Sequence, residues 1–192
     1  MLTGVGDNVK RLFDLFCAGG AIVVLSPILL GVAAVIYFSD FGPVLFKQRR
    51  VGRAGREFFI YKFRSMVLNA ESLGGFSTAE GDPRITRVGR FIRRTSLDEL
   101  PQLFNVLLGD MSVVGPRPDV PAQRPLYTEE EWRVRHSVRP GITGLAQATL
   151  RSAATEQQRK QLDLQYAQEA SLMKDLEIIM LTFKQVFGKG GN

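Results

Sequence analysis

The residues from Leu15 to Ser39 carry no charged side chain, and most of them are apolar. A helix of this length is long enough to cross the ~30 Å hydrocarbon core of a membrane. Ser26 and Pro27 lie near the midpoint of the segment. Proline removes a backbone donor and clashes with the preceding helical turn. The pattern therefore predicts two short apolar helices that are joined by a break at Ser26-Pro27.

Basic residues flank this apolar segment on both sides. Lys10 and Arg11 precede it, and Lys47 and Arg49 follow it. Because basic flanks stay on the cytoplasmic side of a membrane, we expect a re-entrant helix that enters and leaves through one face. A single span kinked at the proline and a helix buried in a soluble protein are the alternatives. Residues 1–42 are thus expected to form the membrane region, and residues 43–192 a cytoplasmic domain.

Beyond the apolar segment, shorter patterns predict an α+β, helix-rich fold with a small strand element. Runs of aromatic and β-branched residues predict strands at Val44–Phe46 and Phe58–Phe63, with a turn at Gly52–Gly55. The helical spacing of apolar residues predicts a helix at Leu100–Leu108. Further helices are predicted at Glu129–His136, at residues 156–169, and near the C-terminus, where Leu172, Leu176, Ile179, Phe183 and Val186 form an apolar stripe. We expect this last, amphipathic helix to pack on the core or to lie at the membrane interface.

Composition narrows the chemistry. The chain of 192 residues has 25 Lys and Arg against 19 Asp and Glu, a net charge of +6, and it has one Cys and one His. With Cys17 as its one cysteine and His136 as its one histidine, the chain has too few of these residues for a disulfide framework or a Cys/His zinc site. An oxygen-ligated ion such as Mg²⁺ stays possible. Residues 47–94 hold many more basic than acidic side chains. This stripe suits anionic lipid headgroups or phosphorylated substrates, and a solvated basic face is the alternative.

Asp98 and Glu99 are adjacent carboxylates just before a predicted helix. Ser96 to Glu99 matches a capping box, which is one interpretation of this stretch. In the other, a carboxylate near arginines and a helix N-terminus stays ionised and attacks phosphorus, while its neighbour holds Mg²⁺.

Rigid basic motifs are candidates for phosphate binding. Arg117 lies between two prolines that restrict its backbone, and arginine suits bidentate contacts with phosphate. The Arg139-Pro-Gly141 turn and the strand around Lys62 and Arg64 have the same two interpretations, structural or phosphate-binding. The chain has neither a G-x-x-x-x-G-K-[ST] loop nor a nucleic-acid-binding motif, so we expect no nucleic-acid partner.

These motifs, taken in order, make the sequence similar to the bacterial sugar transferase family, the monotopic polyprenyl-phosphate phosphoglycosyl transferases. The resemblance covers roughly residues 10–187. It is carried by Lys10-Arg-Leu-Phe-Asp14, Ser26-Pro27, Tyr61-Lys-Phe-Arg64, Asp82-Pro-Arg-Ile-Thr86, the stretch from Gly89 to Asn105, Gly109-Asp-Met-Ser112, Gly115-Pro-Arg-Pro118 and Arg139-Pro-Gly-Ile-Thr-Gly144.

The resemblance implies a two-step reaction. Asp98 attacks the sugar-bearing phosphorus of a UDP-sugar and UMP leaves, and polyprenyl (undecaprenyl) phosphate then takes the sugar phosphate from the aspartyl intermediate. Glu99 and Asp98 are implied as Mg²⁺ ligands. The basic residues implied to bind substrate phosphates are Arg117, Lys62, Arg64, Arg84, Arg94, Arg139 and Arg151.

The resemblance also implies a place in the cell. The protein is expected at the bacterial cytoplasmic membrane, with the catalytic domain on the cytoplasmic face, membrane lipids as partners and oligomers possible. Larger relatives carry extra N-terminal membrane helices, so this chain is expected to be a minimal catalytic unit. A non-catalytic basic adaptor for anionic lipid or a partner protein is the functional alternative.

One stretch departs from the family pattern. Many relatives continue Trp-Ala-Gln-Val-Asn-Gly-Arg after the position of Gly144, whereas this chain continues Leu145-Ala-Gln-Ala-Thr-Leu-Arg151. Because the region of the Asp-Glu pair is intact, the departure is expected to bear on sugar preference rather than on the chemistry.

Overall fold

A computed structural model describes residues 4–74, 81–150 and 155–187, and it shows the expected helix-rich α+β fold. The helices are α1 (Gly4–Asp40), α2 (Ala70–Leu73), α3 (Arg87–Arg94), α4 (Gln102–Leu108), α5 (Glu129–Arg135), α6 (Leu145–Thr149), α7 (Glu156–Glu169) and α8 (Leu172–Phe187). The strands are β1 (Leu45–Val51), β2 (Glu57–Phe63), β3 (Ser112–Val114) and β4 (Gly141–Thr143).

Helix α1 runs without interruption through Pro27. The structure therefore shows no loss of helical structure at Ser26-Pro27, where the sequence predicted a break. Pro27 cannot donate a hydrogen bond to the Val23 carbonyl, but the Ser26 hydroxyl donates to that same oxygen at 2.8 Å. The side chain of Ser26 thus satisfies the carbonyl that proline leaves open, and the helix continues.

One stripe of α1 is buried along nearly its whole length. Lys10, Asp14, Ala18, Leu29 and Ile36 are each at most 9% exposed. They recur at helical intervals, so they share one face. Both halves of α1 therefore lie against the rest of the chain, rather than one half alone.

The opposite face of α1 is apolar and exposed. Phe16, Val24, Leu30 and Phe38 are all more than half exposed. Among the described residues, α1 is the one helix long and apolar enough to span or enter a membrane. The sequence prediction of an apolar N-terminal membrane helix is confirmed to that extent.

Strands β1 and β2 form an antiparallel hairpin, paired from Leu45 with Phe63 to Val51 with Glu57. Strand β1 is longer than predicted because its basic residues fit the alternation of a strand: Lys47 and Arg49 point outward and Arg50 inward. The buried side chain of Asn105 from α4 joins the hairpin edge. It accepts a hydrogen bond from the Tyr61 amide at 2.9 Å and donates to the Phe59 carbonyl at 2.8 Å.

Strands β3 and β4 form a short parallel pair, in which Ser112 lies opposite Gly141 and Val114 opposite Thr143. The pair needs glycine, because a methyl group at Gly141 would come within 2.0 Å of the Gly115 amide nitrogen. Helices α6, α7 and α8 cover it through a cluster of buried residues: Val114, Leu145, Ala148, Tyr166 and Ile178.

The predicted helix near the C-terminus is confirmed, and its apolar residues divide into a buried set and an exposed set. Ile178 is fully buried against the core, whereas Leu176 and Phe183 are largely exposed. Asp175 on the buried face forms an ion pair with Lys10 of α1 and accepts a hydrogen bond from Tyr166. The last helix is thus tied to the first through charged and polar side chains.

Candidate active site

Asp98 and Glu99 lie in a single 3₁₀ turn, Leu97–Glu99, between α3 and α4. Ser96 has a φ of 57° and makes no capping hydrogen bond. The capping-box interpretation of this stretch is therefore wrong, since the Glu99 side chain bonds to cations elsewhere. Ser96 is one of three non-glycine residues with a positive φ among the described residues, and it immediately precedes the turn that carries the two carboxylates.

Glu99 is held by two cations from different elements. One oxygen, Oε1, accepts hydrogen bonds from Lys62 Nζ of β2 at 2.6 Å and from Arg117 Nη2 at 2.9 Å. Burial acts to raise the pKa of Glu99, but the charges of Arg117 and Lys62 outweigh it and hold the pKa at about 2. Glu99 is thus ionised at every pH at which the protein is expected to work.

Asp98 is 9% exposed and lines a cavity of about 570 Å³. Burial, followed by the neighbouring charge of Glu99, raises the pKa of Asp98 above its usual value, although Lys62 and Arg93 oppose the rise. The two adjacent carboxylates are therefore electrostatically unlike, with Asp98 the easier of the two to protonate.

The cavity around Asp98 is lined mainly by basic and polar side chains. Arg50 at one end donates to Gln48 Oε1 at 2.6 Å, and burial together with the nearby Arg117 lowers the pKa of Arg50 to about 10. Its basic lining residues are Arg50, Lys62, Arg64, Arg84, Arg93 and Arg117. A cavity with this lining is suited to an anionic ligand such as a phosphate.

The loop that carries Arg117 is held from behind by two other arginines. Arg135 Nη2 donates to the Arg117 carbonyl at 2.8 Å, and Arg50 Nη1 donates to the Pro118 carbonyl at 2.9 Å. The Arg117 side chain itself stays half exposed and reaches Glu99. The prolines and these backbone contacts together fix the direction in which Arg117 points.

Arg135 is buried between two carboxylates. It forms ion pairs with Asp119 and, at 2.7 Å, with Asp163 of α7. Burial raises the pKa of both aspartates, and the charge of Arg135 opposes that rise. The three side chains tie α5 and α7 to the loop that contains Arg117.

The structure brings together most of the residues predicted to bind phosphate, but not all. Lys62, Arg64, Arg84 and Arg117 line the cavity with Asp98. Arg94 is exposed on α3 and is not among the lining residues.

Two further predicted residues lie elsewhere. Arg139 lies in a different groove, where it donates to the Gly109 carbonyl at 3.1 Å and pairs with Asp7. Arg151 lies outside the described residues.

Arg50 and Arg135 are site residues that no sequence motif indicated, whereas Arg93 lies just before the Asp98-Glu99 stretch in the sequence. Arg50 follows Phe46 and Gln48 at alternate positions of one strand, and all three line the cavity. This period-2 pattern was available in the sequence, but the pairing that places it beside Asp98 was not. Arg135 lies in a charged helix, and nothing local distinguishes it from the exposed Arg133.

Asp98 and Glu99 supply carboxylate oxygens, which are ligands that Mg²⁺ prefers more strongly than transition metals do. Within the described ranges, no group of three or more His, Cys, Asp and Glu side chains is arranged to hold a metal. Mg²⁺ commonly takes one or two carboxylates and completes its shell with water and substrate phosphates. Burial and then the charge of Glu99 raise the pKa of Asp98, and a cation held by these residues would offset the second of these effects.

Comparison with known proteins shows which sequences this chain resembles. The family model for bacterial sugar transferases matches residues 5–189. The chain is 41% identical over 188 residues to the UDP-glucose:undecaprenyl-phosphate glucose-1-phosphate transferase of Escherichia coli (strain K12), covering 94% of this chain and 40% of that protein.

Two further relatives are similar to the chain to a comparable degree. Sugar transferase EpsL of Bacillus subtilis (strain 168) is 45% identical over 183 residues, covering 95% of this chain and 89% of EpsL. The UDP-N-acetylgalactosamine-undecaprenyl-phosphate N-acetylgalactosaminephosphotransferase of Aeromonas hydrophila is 42% identical over 186 residues, covering 93% of this chain and 43% of that protein. The chain thus spans about two fifths of the relatives named for a sugar and nearly all of EpsL.

Proposed function

The chain belongs to the bacterial sugar transferase family, and we propose that it transfers a sugar 1-phosphate from a UDP-sugar to undecaprenyl phosphate, releasing UMP. The observation that carries this proposal is the buried carboxylate of Asp98 in a cavity lined by Lys62, Arg64 and Arg117. The relatives from Escherichia coli and Aeromonas hydrophila are named for this reaction with different sugars. The identity of the sugar is left open by that difference.

In the first half-reaction, a carboxylate oxygen of Asp98 attacks the sugar-bearing phosphorus of the UDP-sugar. A phosphorus–oxygen bond forms to Asp98, and the bond to the oxygen of UMP breaks, so UMP leaves with that oxygen. Arg117 and Lys62 neutralise the charge that gathers on the phosphate oxygens. Because both also hold Glu99, their positions are set before substrate arrives.

In the second half-reaction, a phosphate oxygen of undecaprenyl phosphate attacks the same phosphorus. The phosphorus–oxygen bond to Asp98 breaks, and the carboxylate is regenerated as undecaprenyl diphosphosugar forms. Because each displacement is in line, undecaprenyl phosphate attacks the phosphorus from the side that UMP has left. Asp98 and the cations Lys62, Arg64 and Arg117 line the cavity in which both steps take place.

We assign the proposed Mg²⁺ to the carboxylates of Asp98 and Glu99. When bound there, the ion supplies positive charge to the phosphate oxygens. Glu99, with a pKa of about 2, offers a permanently charged ligand. Lys62 and Arg117 both bond to its Oε1, so Glu99 keeps a second oxygen for the ion.

The exposed apolar face of α1 is the part of the molecule proposed to enter the membrane. Since both halves of α1 pack on the rest of the chain, we propose that α1 enters the membrane without crossing it and that the domain stays on the cytoplasmic face. A helix that crossed upright would have to withdraw half of its buried stripe from the domain.

The test is UMP release by the purified full chain in detergent. A panel of UDP-sugars is assayed with Mg²⁺ or EDTA, and with or without undecaprenyl phosphate. Mg²⁺-dependent release that continues only when the lipid is present supports the reaction. Silence across the panel in a folded protein that still binds anionic lipid vesicles contradicts it and favours a non-catalytic membrane adaptor.

Asp98→Asn is expected to abolish UMP release and formation of the phosphosugar adduct, because the amide is not a nucleophile toward phosphorus. The adduct is followed by intact-protein mass after mixing with UDP-sugar alone. Asp110→Asn, an equal change outside the cavity, is the matched control and is expected to keep activity. Full turnover in Asp98→Asn contradicts the assignment of the nucleophile.

A further inference from the structure

The cavity around Asp98 is elongated along strand β1. Phe46, Gln48 and Arg50 line it at alternate positions, and a strand spaces residues four apart by roughly 13 Å. Arg50 marks one end, where it contacts the loop of Arg117. Phe46 pairs with Lys62 and so marks the middle, and Arg64 follows two residues further along β2. The cations bound to Glu99 and the Arg64 guanidinium thus occupy different parts of one cavity.

Arg64 is 8% exposed, and its guanidinium is only half satisfied. Nη2 binds the carboxylate of Asp40, the last residue of α1. Nη1 is buried and makes no hydrogen bond to any residue that the structure describes. A buried guanidinium N–H without a partner is costly, and a phosphate oxygen is the acceptor it matches best.

The surface next to Arg64 is apolar. Phe41 at the end of α1 and Leu68 after β2 are 72% and 63% exposed. A methyl group at Gly42 would come within 2.2 Å of Arg64 Nη1 and 3.1 Å of Leu68 Cδ2, so these groups meet at one point. Phe38 packs edge-on against Phe41. An exposed aromatic and aliphatic surface therefore borders the unsatisfied cation.

We propose that Arg64 binds the phosphate of the undecaprenyl phosphate acceptor, and that the polyprenyl chain leaves the cavity over Phe38, Phe41 and Leu68. The phosphate that leaves in UMP is then held toward Arg117, and the sugar-bearing phosphate lies at Asp98. This inference rests on the proposed function. It explains why a buried arginine of the cavity is anchored to the apolar helix: the acceptor brings a lipid and a phosphate together, and this end of the cavity offers a surface for each.

Direct binding tests this assignment without relying on turnover. The affinity of the full chain in detergent is measured for undecaprenyl phosphate, for undecaprenol, which lacks the phosphate, and for UMP. Arg64→Gln is expected to weaken binding of undecaprenyl phosphate about 10- to 100-fold, since a charge-assisted contact is lost. Its affinity for undecaprenol and UMP is expected to change less than about threefold, because neither ligand contacts Arg64.

Arg90→Gln removes an equal charge from an exposed site outside the cavity and is the matched control. Gly42→Ala is the second variant: it keeps Arg64 but displaces the flexible guanidinium, so it is expected to weaken binding of undecaprenyl phosphate in the same direction. Thermal unfolding of each variant verifies that it is folded.

The outcomes separate this assignment from the proposed function. Equal affinity of Arg64→Gln and wild type for undecaprenyl phosphate overturns the assignment, whether or not the enzyme turns over. Loss of UMP binding to the same extent also overturns it, because Arg64 would then belong to the donor end. A wild-type protein that binds undecaprenyl phosphate through Arg64 but releases no UMP contradicts the reaction and leaves the lipid site standing.

Discussion

Asp98 and Glu99 are covalent neighbours with opposite electrostatic surroundings. The pKa of Glu99 is held at about 2 by Arg117 and Lys62, whereas burial and the charge of Glu99 raise the pKa of Asp98. One residue is therefore a fixed negative charge, and the other is a carboxylate whose ionisation depends on its neighbours. Such a separation of roles is typical of paired carboxylates in catalysis.

Lys62 is the residue through which this separation can be tested. Its charge lowers the pKa of both carboxylates, so Lys62→Met is expected to raise the pKa of Asp98 further. Asp98 is then protonated up to a higher pH, and the acid limb of the rate of UMP release moves to higher pH. The pH dependence of single-turnover UMP release measures the shift. Lys47→Met, on the outward face of β1, is expected to leave the limb in place.

An acid limb that stays at its wild-type pH in Lys62→Met contradicts the proposed dependence on Asp98. A lower rate alone does not support it, since Lys62 is also placed to contact phosphate. The position of the limb and the height of the plateau are therefore fitted separately.

At the scale of elements, the Arg117 loop is stabilised by a buried group of charged side chains centred on Arg135. Arg135 joins the loop to α5 and α7, and its partners Asp119 and Asp163 are almost fully buried. Breaking a buried pair leaves an uncompensated charge.

Arg135→Met is expected to lower the free energy of unfolding by about 3–5 kcal/mol, because two buried carboxylates lose their partner. Denaturant unfolding in detergent measures the loss. Arg133→Met, two residues earlier on the same helix and exposed, is the control and is expected to change stability by less than about 0.5 kcal/mol. A loss below about 1 kcal/mol in Arg135→Met means that the network is not a structural anchor.

Local sequence patterns predicted most of the helices and strands, whereas the extent of the remaining elements depends on contacts with residues distant in the sequence. The helices at Gln102–Leu108, Glu156–Glu169 and Leu172–Phe187 follow from apolar or polar runs. Strand β1 was predicted too short, because basic residues hide a strand whose partner is not known. The capping interpretation of Ser96 failed for a related reason: Glu99 bonds to Lys62 and Arg117, which are distant in sequence.

Each residue of the candidate site could be predicted from its own sequence motif, but the way the motifs come together could not. Asp98, Lys62 and Arg117 belong to three separate motifs, and the structure places all three around one cavity. Arg139 belongs to an equally rigid turn, but the β3–β4 pairing directs it to Asp7 instead. Rigidity is visible in sequence, whereas direction depends on tertiary pairing.

At the scale of the whole molecule, the one histidine of the chain is a buried titratable group. The His136 ring packs on Trp132 with centroids 4.0 Å apart, and Nδ1 donates to the Trp132 carbonyl at 2.9 Å. Burial, together with the nearby charges of Arg135 and Arg124, lowers the pKa of His136 to about 4.

His136 is expected to make the fold sensitive to mild acid. Its folded pKa is depressed, so its contribution to stability is complete above pH 6.5 and is lost as the pH falls toward 4, by at most about 1.4 kcal/mol per pH unit. The free energy of unfolding is compared for wild type and His136→Gln between pH 7 and pH 4.5. The difference is expected to shrink with falling pH, and a constant difference contradicts the assignment.

The ion pair between Lys10 and Asp175 sets a condition on how the protein is made. These residues are 165 positions apart, and Asp14 binds Ser112 and the Val113 amide, again far along the chain. A ribosome adding 5–20 residues per second leaves Lys10 without its partner for roughly ten to thirty seconds. During that interval the nascent α1 exposes both an apolar face and the charged side chains Lys10 and Asp14. The membrane can cover only the apolar face, and the partners of the charged side chains have not yet all been made. Helix α1 can therefore complete its contacts with the domain only after α8 has been translated.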